Sequence, residues 1–131
     1  MAVSVYGRLE RLDLLLGFEE FSNLQNKRDD MRRTFEALGL ESGQDYLSIG
    51  IGRNRLPPSL ALCCGLNVVG IDIDERRVEY HNSLALKFKE MLEDSNGSLK
   101  ACKLNVNEDP INGHIGIYDL VECVNFRYCL N

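Results

Sequence analysis

The sequence predicts an α/β fold: a Rossmann-like parallel sheet with flanking helices, incomplete at about four strands and preceded by a helical segment. Three observations carry this expectation. Short apolar runs with strand character, Tyr46 to Ile49 and Asn67 to Asp72, alternate with stretches patterned as helices. The first run ends in two glycines, Gly50 and Gly52, and the second ends in a carboxylate, Asp72. The stretches between the strands are long enough for the right-handed crossovers that parallel neighbours require.

The elements follow in order. Leu9, Leu12, Leu15 and Leu16 have helical spacing, and so do Met31, Phe35 and Leu38, with Gly39 as the stop. Residues 1–44 thus read as an N-terminal helical segment, and Lys27, Arg28, Arg32 and Arg33 read as a solvated helix face. Glu41 to Asp45 is a polar turn leading into the Tyr46 to Ile49 strand. Pro57 and Pro58 suit the first turn of a helix that continues from Ser59 to Cys64 and stops at Gly65. After the second strand, Asp74 is an N-cap for a helix from about Glu75 to Glu93. Its apolar side is Val78, Leu84, Leu86, Phe88, Met91 and Leu92, with His81 at the surface or boundary. Leu99 to Val106 and Tyr118 to Val124 are the third and fourth strands.

Composition narrows the function classes. A chain of 131 residues suits one domain, and 44% hydrophobic with 27% charged residues is that of an ordinary globular protein. A net charge of −5 argues against sequence-independent nucleic-acid binding, which needs many Lys and Arg at phosphates. No apolar stretch reaches the roughly 18 residues of a membrane span. The start, Met1 to Arg8, lacks the basic and apolar regions of a signal peptide. The five cysteines, Cys63, Cys64, Cys102, Cys123 and Cys129, are odd in number and form no C-x-x-C pair. They read as reduced packing thiols of an intracellular protein, cytoplasmic or nuclear, and their spacing suits no zinc site.

The chemistry concentrates where the strands end. A doubly wound sheet binds its ligand beyond the carboxyl ends of its strands. Glycines there let the backbone turn tightly and approach a ligand with no Cβ in the way. The start of the following helix offers free N–H groups. Asp72 lies 22 positions after Gly50, where a carboxylate can accept the hydroxyls of a ribose. Strand, glycine turn, helix, strand and carboxylate together point to a nucleoside-containing cofactor. A dinucleotide fingerprint needs a third glycine where this chain has Arg55, which weighs against NAD or FAD. Arg53 and Arg55 read as solvated loop charges beside the site.

Asp45 to Gly52 resembles the first motif of class I S-adenosylmethionine-dependent methyltransferases, and Val69 to Asp74 is similar to their second. Leu104 to Asn107 resembles the third, and Tyr118 to Val121 the opening of the fourth strand. The resemblance covers about residues 41 to 124 and implies S-adenosylmethionine as cofactor. It places Gly50, Gly52 and the backbone near Ile51 at the methionine portion, Asp72 on the ribose, Ile73 against adenine and Asn105 at the adenine edge. Three positions depart from the pattern: Ser48 replaces the acidic residue that bears on the methionine amino group, Asn54 the third glycine and Asn105 an Asp. Asn125, Phe126 and Tyr128 faintly resemble a stretch near the lysine channel of nucleosome-directed histone-lysine methyltransferases of the telomeric-silencing-disruptor family. The fold of the family has seven strands, so residues 45–131 correspond to a partial, cofactor-binding portion.

Two functions follow. One is a methyltransferase domain acting on an unknown acceptor, its open sheet edge covered by the N-terminal helices, a protein partner or another copy. The alternative is a non-catalytic, degenerate module of the same fold used for binding or interaction. A nucleotide-dependent oxidoreductase ranks below both because of Arg55. No residue is identified as catalytic, and Asn125 is the only candidate.

Overall fold

The computed structural model describes residues 24–37, 39–105 and 118–123. The expected helix around Leu9 to Leu16, the position of Leu38, and the stretch Val124 to Tyr128 lie outside them. The elements are α1 (Leu24–Ala37), β1 (Asp45–Ile49), α2 (Leu56–Cys64), β2 (Asn67–Asp72), α3 (Glu75–Lys87), α4 (Lys89–Ser95), β3 (Ser98–Lys103) and β4 (Leu120–Cys123). The four strands form one parallel sheet in the order β3-β2-β1-β4. The chain therefore builds outward from β1 to β3, then returns to place β4 on the other side of β1. The point where the order reverses lies between β1 and β4.

Alternation along the strands divides the core. Tyr46, Val68, Leu99 and Leu120 join Leu60, Leu62, Leu66, Leu84 and Leu92 in the main cluster. Met31 and Phe35 of α1 belong to the same cluster, so this helix shares its core with the sheet. Leu47, Ile49 and Ile71 face the other way, with Val69, Cys102, Leu104 and Tyr118 partly buried beside them, and no described helix contributes to that cluster. A one-residue slip would exchange these two sets, which is why the register is well specified. The side chain of Asp119 helps to fix it at β4, accepting a hydrogen bond from Asp45 N (2.8 Å) while Asp119 N donates to Asp45 O (2.9 Å). At the opposite edge, Asn82 of α3 brackets Ala101 of β3, donating to its carbonyl (3.0 Å) and accepting from its N–H (2.9 Å). That satisfies backbone groups an edge strand leaves unpaired.

Several expectations change. The helix expected from Glu75 to Glu93 breaks at Phe88, whose φ of −109° and ψ of 30° leave the helical region. A straight helix of that length would run about 28 Å, against about 20 Å for a six-residue strand. Breaking at Phe88 turns the chain back so that Phe88, Met91 and Leu92 pack on the main cluster. Leu86, expected on the apolar side, is 79% exposed, because two positions along a helix from Leu84 is roughly 200° around it. The third strand ends earlier than expected, at Lys103, the fourth begins later, at Leu120, and α2 begins at Leu56, one residue before the prolines expected in its first turn. Arg32 is not simply solvated, since its Nε donates to Cys63 O (2.8 Å) across the α1–α2 contact. Burial pushes the Cys63 thiol up to about 11 and the Cys64 thiol up to about 12, so both are neutral packing groups. Among the described residues no helix is long and apolar enough to cross a membrane.

Helix α2 ends at Gly65, which has φ of 72°, and a Cβ there would lie 2.5 Å from Ser95 O. Gly65→Ala combines a left-handed backbone with a backbone clash. It is expected to lower unfolding free energy by roughly 1–3 kcal/mol, read from urea denaturation midpoints at unchanged m-value.

Candidate functional site

The carboxyl ends of β1 and β2 are joined by a web of short hydrogen bonds. Gly50 and Gly52 adopt φ of 69° and 50°, a region that only glycine enters freely, so the chain reverses here within a few residues. Gly50 N and Ile51 N both donate to Ile71 O (2.9 and 3.1 Å). Gly52 N donates to Asp72 Oδ2 (2.8 Å), and Asp74 N donates to Asp72 Oδ1 (2.8 Å). One carboxylate thus ties the turn after β1 to the turn after β2. Each of its oxygens accepts one bond, and a carboxylate has about four lone-pair sites, so half its acceptor capacity remains.

The other expected residues are distributed around this centre. Ile51 is fully buried, and a Cβ on Gly70 would lie 2.4 Å from its Cδ1, so the side chain plugs the space above β2 that Gly70 leaves. Its N–H is committed to Ile71. The N–H groups of Gly50, Ile51 and Gly52 are thus all taken by Ile71 and Asp72. Arg53 retains an N–H with no partner among the described residues. Ile73 is 58% exposed between two half-buried aspartates, which presents an apolar surface beside the carboxylate. Asn105 follows β3 at the same end of the sheet, where Leu104 N donates to Asp72 O (3.0 Å). Ser48 sits inside β1, in register with Gly70 and Glu122, on the helix-covered side. It is fully buried, and its hydroxyl has no partner among the described residues.

Two residues make contacts not anticipated from the sequence. Asn54 occupies the third-glycine position; its Oδ1 accepts from Leu56 N (3.1 Å) at the start of α2, and its Nδ2 donates to Glu122 Oε1 of β4 (2.9 Å). The pair spans the side of β1 where the strand order reverses. His81, expected at the surface or boundary, is fully buried, with Nε2 2.9 Å from Gly52 O. A carbonyl only accepts, so the acceptor dictates the tautomer: Nε2 carries the hydrogen and Nδ1 is the bare nitrogen. The sequence does hold a signal for this burial, since Val78 and His81 lie three apart on one helix face and both are buried.

No family model matches the chain, and no curated protein matches it significantly. Among solved structures it is similar to magnesium protoporphyrin IX methyltransferase of Synechocystis PCC 6803 with bound SAH, at 22% identity and a TM-score of 0.49, covering 92% of this chain and 52% of that one. It is also similar to a TehB-like SAM-dependent methyltransferase of Corynebacterium glutamicum, at 18% identity and 0.45, covering 81% and 56%. A third is a SAM-dependent methyltransferase of Geobacter sulfurreducens in complex with S-adenosyl-L-homocysteine, at 14% identity and 0.42, covering 95% and 44%. The chain spans about half the length of these structures.

The site makes a pH prediction. Burial holds the His81 imidazole below its ordinary value, against the bond to Gly52 and the charge of Asp72, which act upward. The unfolded chain then takes up the proton more readily. Stability from neutral His81 is complete above pH about 6.5 and is lost as the pH falls below that toward the folded-state value. Denaturant midpoints should decline on acidification through this window, by up to about 1.4 kcal/mol per pH unit, and His81→Gln should lack that component. A second prediction concerns Ser48: replacing it with Ala removes a buried, unpaired hydroxyl. It is expected to be neutral or to stabilise by up to about 1 kcal/mol in the same assay.

Proposed function

We propose that this chain is a methyltransferase-like domain that binds S-adenosylmethionine, carrying the cofactor-binding portion of such a fold. The observation that carries the reading is the glycine turn at the end of β1, beside the reversal of strand order and tied to Asp72 at the end of β2. Ligands of doubly wound sheets sit at that place. The residues present fit a nucleoside cofactor. Asp72 keeps lone pairs for the ribose hydroxyls, exposed Ile73 offers a face for adenine, and Asn105 stands at the same end of the sheet with an amide for the adenine edge. Gly50 and Gly52 keep the approach clear. The cofactor supplies an electrophilic methyl group; the chain's part is to hold and orient it toward a nucleophile. The acceptor is not assigned. The resemblance of Asn125, Phe126 and Tyr128 to the histone-lysine enzymes makes a protein lysine the first acceptor to try.

Ser48 favours the alternative, a non-catalytic module of this fold. The position that resembles the family's acidic residue is a buried hydroxyl, so its contact with the methionine portion would need movement of β1. In that case the outer edge of β4, unpaired among the described residues, would serve a partner chain or a second copy.

Calorimetric titration with S-adenosylmethionine and S-adenosylhomocysteine separates the two. Micromolar binding is expected, weakened at least about tenfold by Asp72→Ala, with thermal unfolding as the check that the variant folds. A folded protein that binds neither compound sinks the enzyme reading and leaves the interaction module.

A further inference from the structure

We infer that His81 is a positioning residue that aims the Arg53 amide at a carboxylate of the bound ligand, and so selects cofactors that retain their amino-acid portion. This rests on the reading of the glycine turn as the cofactor site.

The argument begins at Gly52. Its N–H goes to Asp72 Oδ2 (2.8 Å) and its carbonyl to His81 Nε2 (2.9 Å). The two bonds lie on the two peptide groups that flank its Cα, so they fix both of its torsions. A glycine at φ of 50° would otherwise be the most freely moving residue of the turn. The second of these peptides is the Gly52–Arg53 link. It is trans, so its N–H points opposite to its carbonyl. His81 draws the carbonyl inward, toward the buried face of α3, and the Arg53 N–H is therefore directed outward.

That amide is left over in the turn. The N–H groups of Gly50, Ile51, Gly52, Asn54 and Leu56 are each bonded within the protein, whereas that of Arg53 has no partner among the described residues. Its residue is exposed and carries a guanidinium. An outward N–H beside a guanidinium suits an anion, and a carboxylate accepts from both more strongly than a neutral group does. In the proposed cofactor site the ribose hydroxyls go to Asp72, which accepts from the N–H of Gly52. The group left for Arg53 is the carboxylate at the far end of the cofactor, the methionine or homocysteine end.

The His81 ring is itself well held. It is fully buried, and the Tyr80 ring meets it edge-on at 5.2 Å between centroids and 75° between planes. A phenylalanine would fill the space yet give Gly52 no donor. A glutamine places an amide N–H at similar reach.

The test compares S-adenosylhomocysteine with 5′-methylthioadenosine, which keeps the adenosine and lacks the amino-acid end, on the wild-type chain, His81→Phe and His81→Gln. His81→Phe should weaken S-adenosylhomocysteine about tenfold or more and leave methylthioadenosine within about twofold, with His81→Gln close to wild type for both. Equal weakening of both ligands, or no weakening of either in a folded variant, overturns the inference while the cofactor reading stands. If the wild-type chain binds neither ligand, the cofactor reading fails and this inference with it. Should His81→Phe not fold, the ¹⁵N-labelled wild-type chain decides. The Arg53 amide resonance should move on saturation with S-adenosylhomocysteine and stay in place with methylthioadenosine, and an unmoved resonance with the first ligand bound overturns the inference.

Discussion

The carboxylate of Asp72 accepts one backbone N–H from the turn after β1 and another from the turn after β2, and the geometry of the candidate site depends on that double acceptance. Without it, Gly52, at positive φ, would lose the bond from its N–H to the end of β2. Charge-assisted bonds to backbone amides are among the stronger hydrogen bonds a protein makes, and they come here in a place where regular pairing has just ended. The residue thus has two tasks in the proposed function. It builds the loop, and with its remaining lone pairs it meets the ligand.

The parallel sheet makes this arrangement possible. β1 and β2 run side by side in register, so their carboxyl ends emerge together and the two turns become neighbours. Helix α3 follows immediately from Asp74, whose side chain accepts from Arg76 N and starts the helix. His81 comes less than two turns after the first helical residue, Glu75, so it is still near the end of the sheet that the chain has just left. A helix that returns along β2 and β3 passes one of its buried positions directly beneath the loop it left behind. The buried imidazole, the carboxylate and the glycine peptide groups form one connected set drawn from three elements.

On the other side of β1 the same logic gives Asn54 a role that a glycine would not have. Its side chain accepts from Leu56 N at the start of α2 and donates to Glu122 of β4, linking loop, helix and neighbouring strand. The residue at this position therefore has a specific structural use. The departure at Ser48 has no comparable compensation among the described residues, since its hydroxyl is buried without a partner.

The sequence by itself determined the class of fold, the order of its elements and the positions of the two turns, because alternation, proline, glycine and capping residues act over a few residues at a time. Gly50, Gly52 and Asp72 were legible for that reason: each stands where a strand stops. Three things were decided only by tertiary structure. The break at Phe88 follows from the length of the sheet, which no local pattern encodes. The burial of His81 follows from which helix face meets β2 and β3, and its partner is a carbonyl 29 positions away. The commitment of the Ile51 and Gly52 amides depends on β2 lying beside β1. Local sequence sets what a residue can do; which neighbour claims its hydrogen bonds is settled only when distant segments come together.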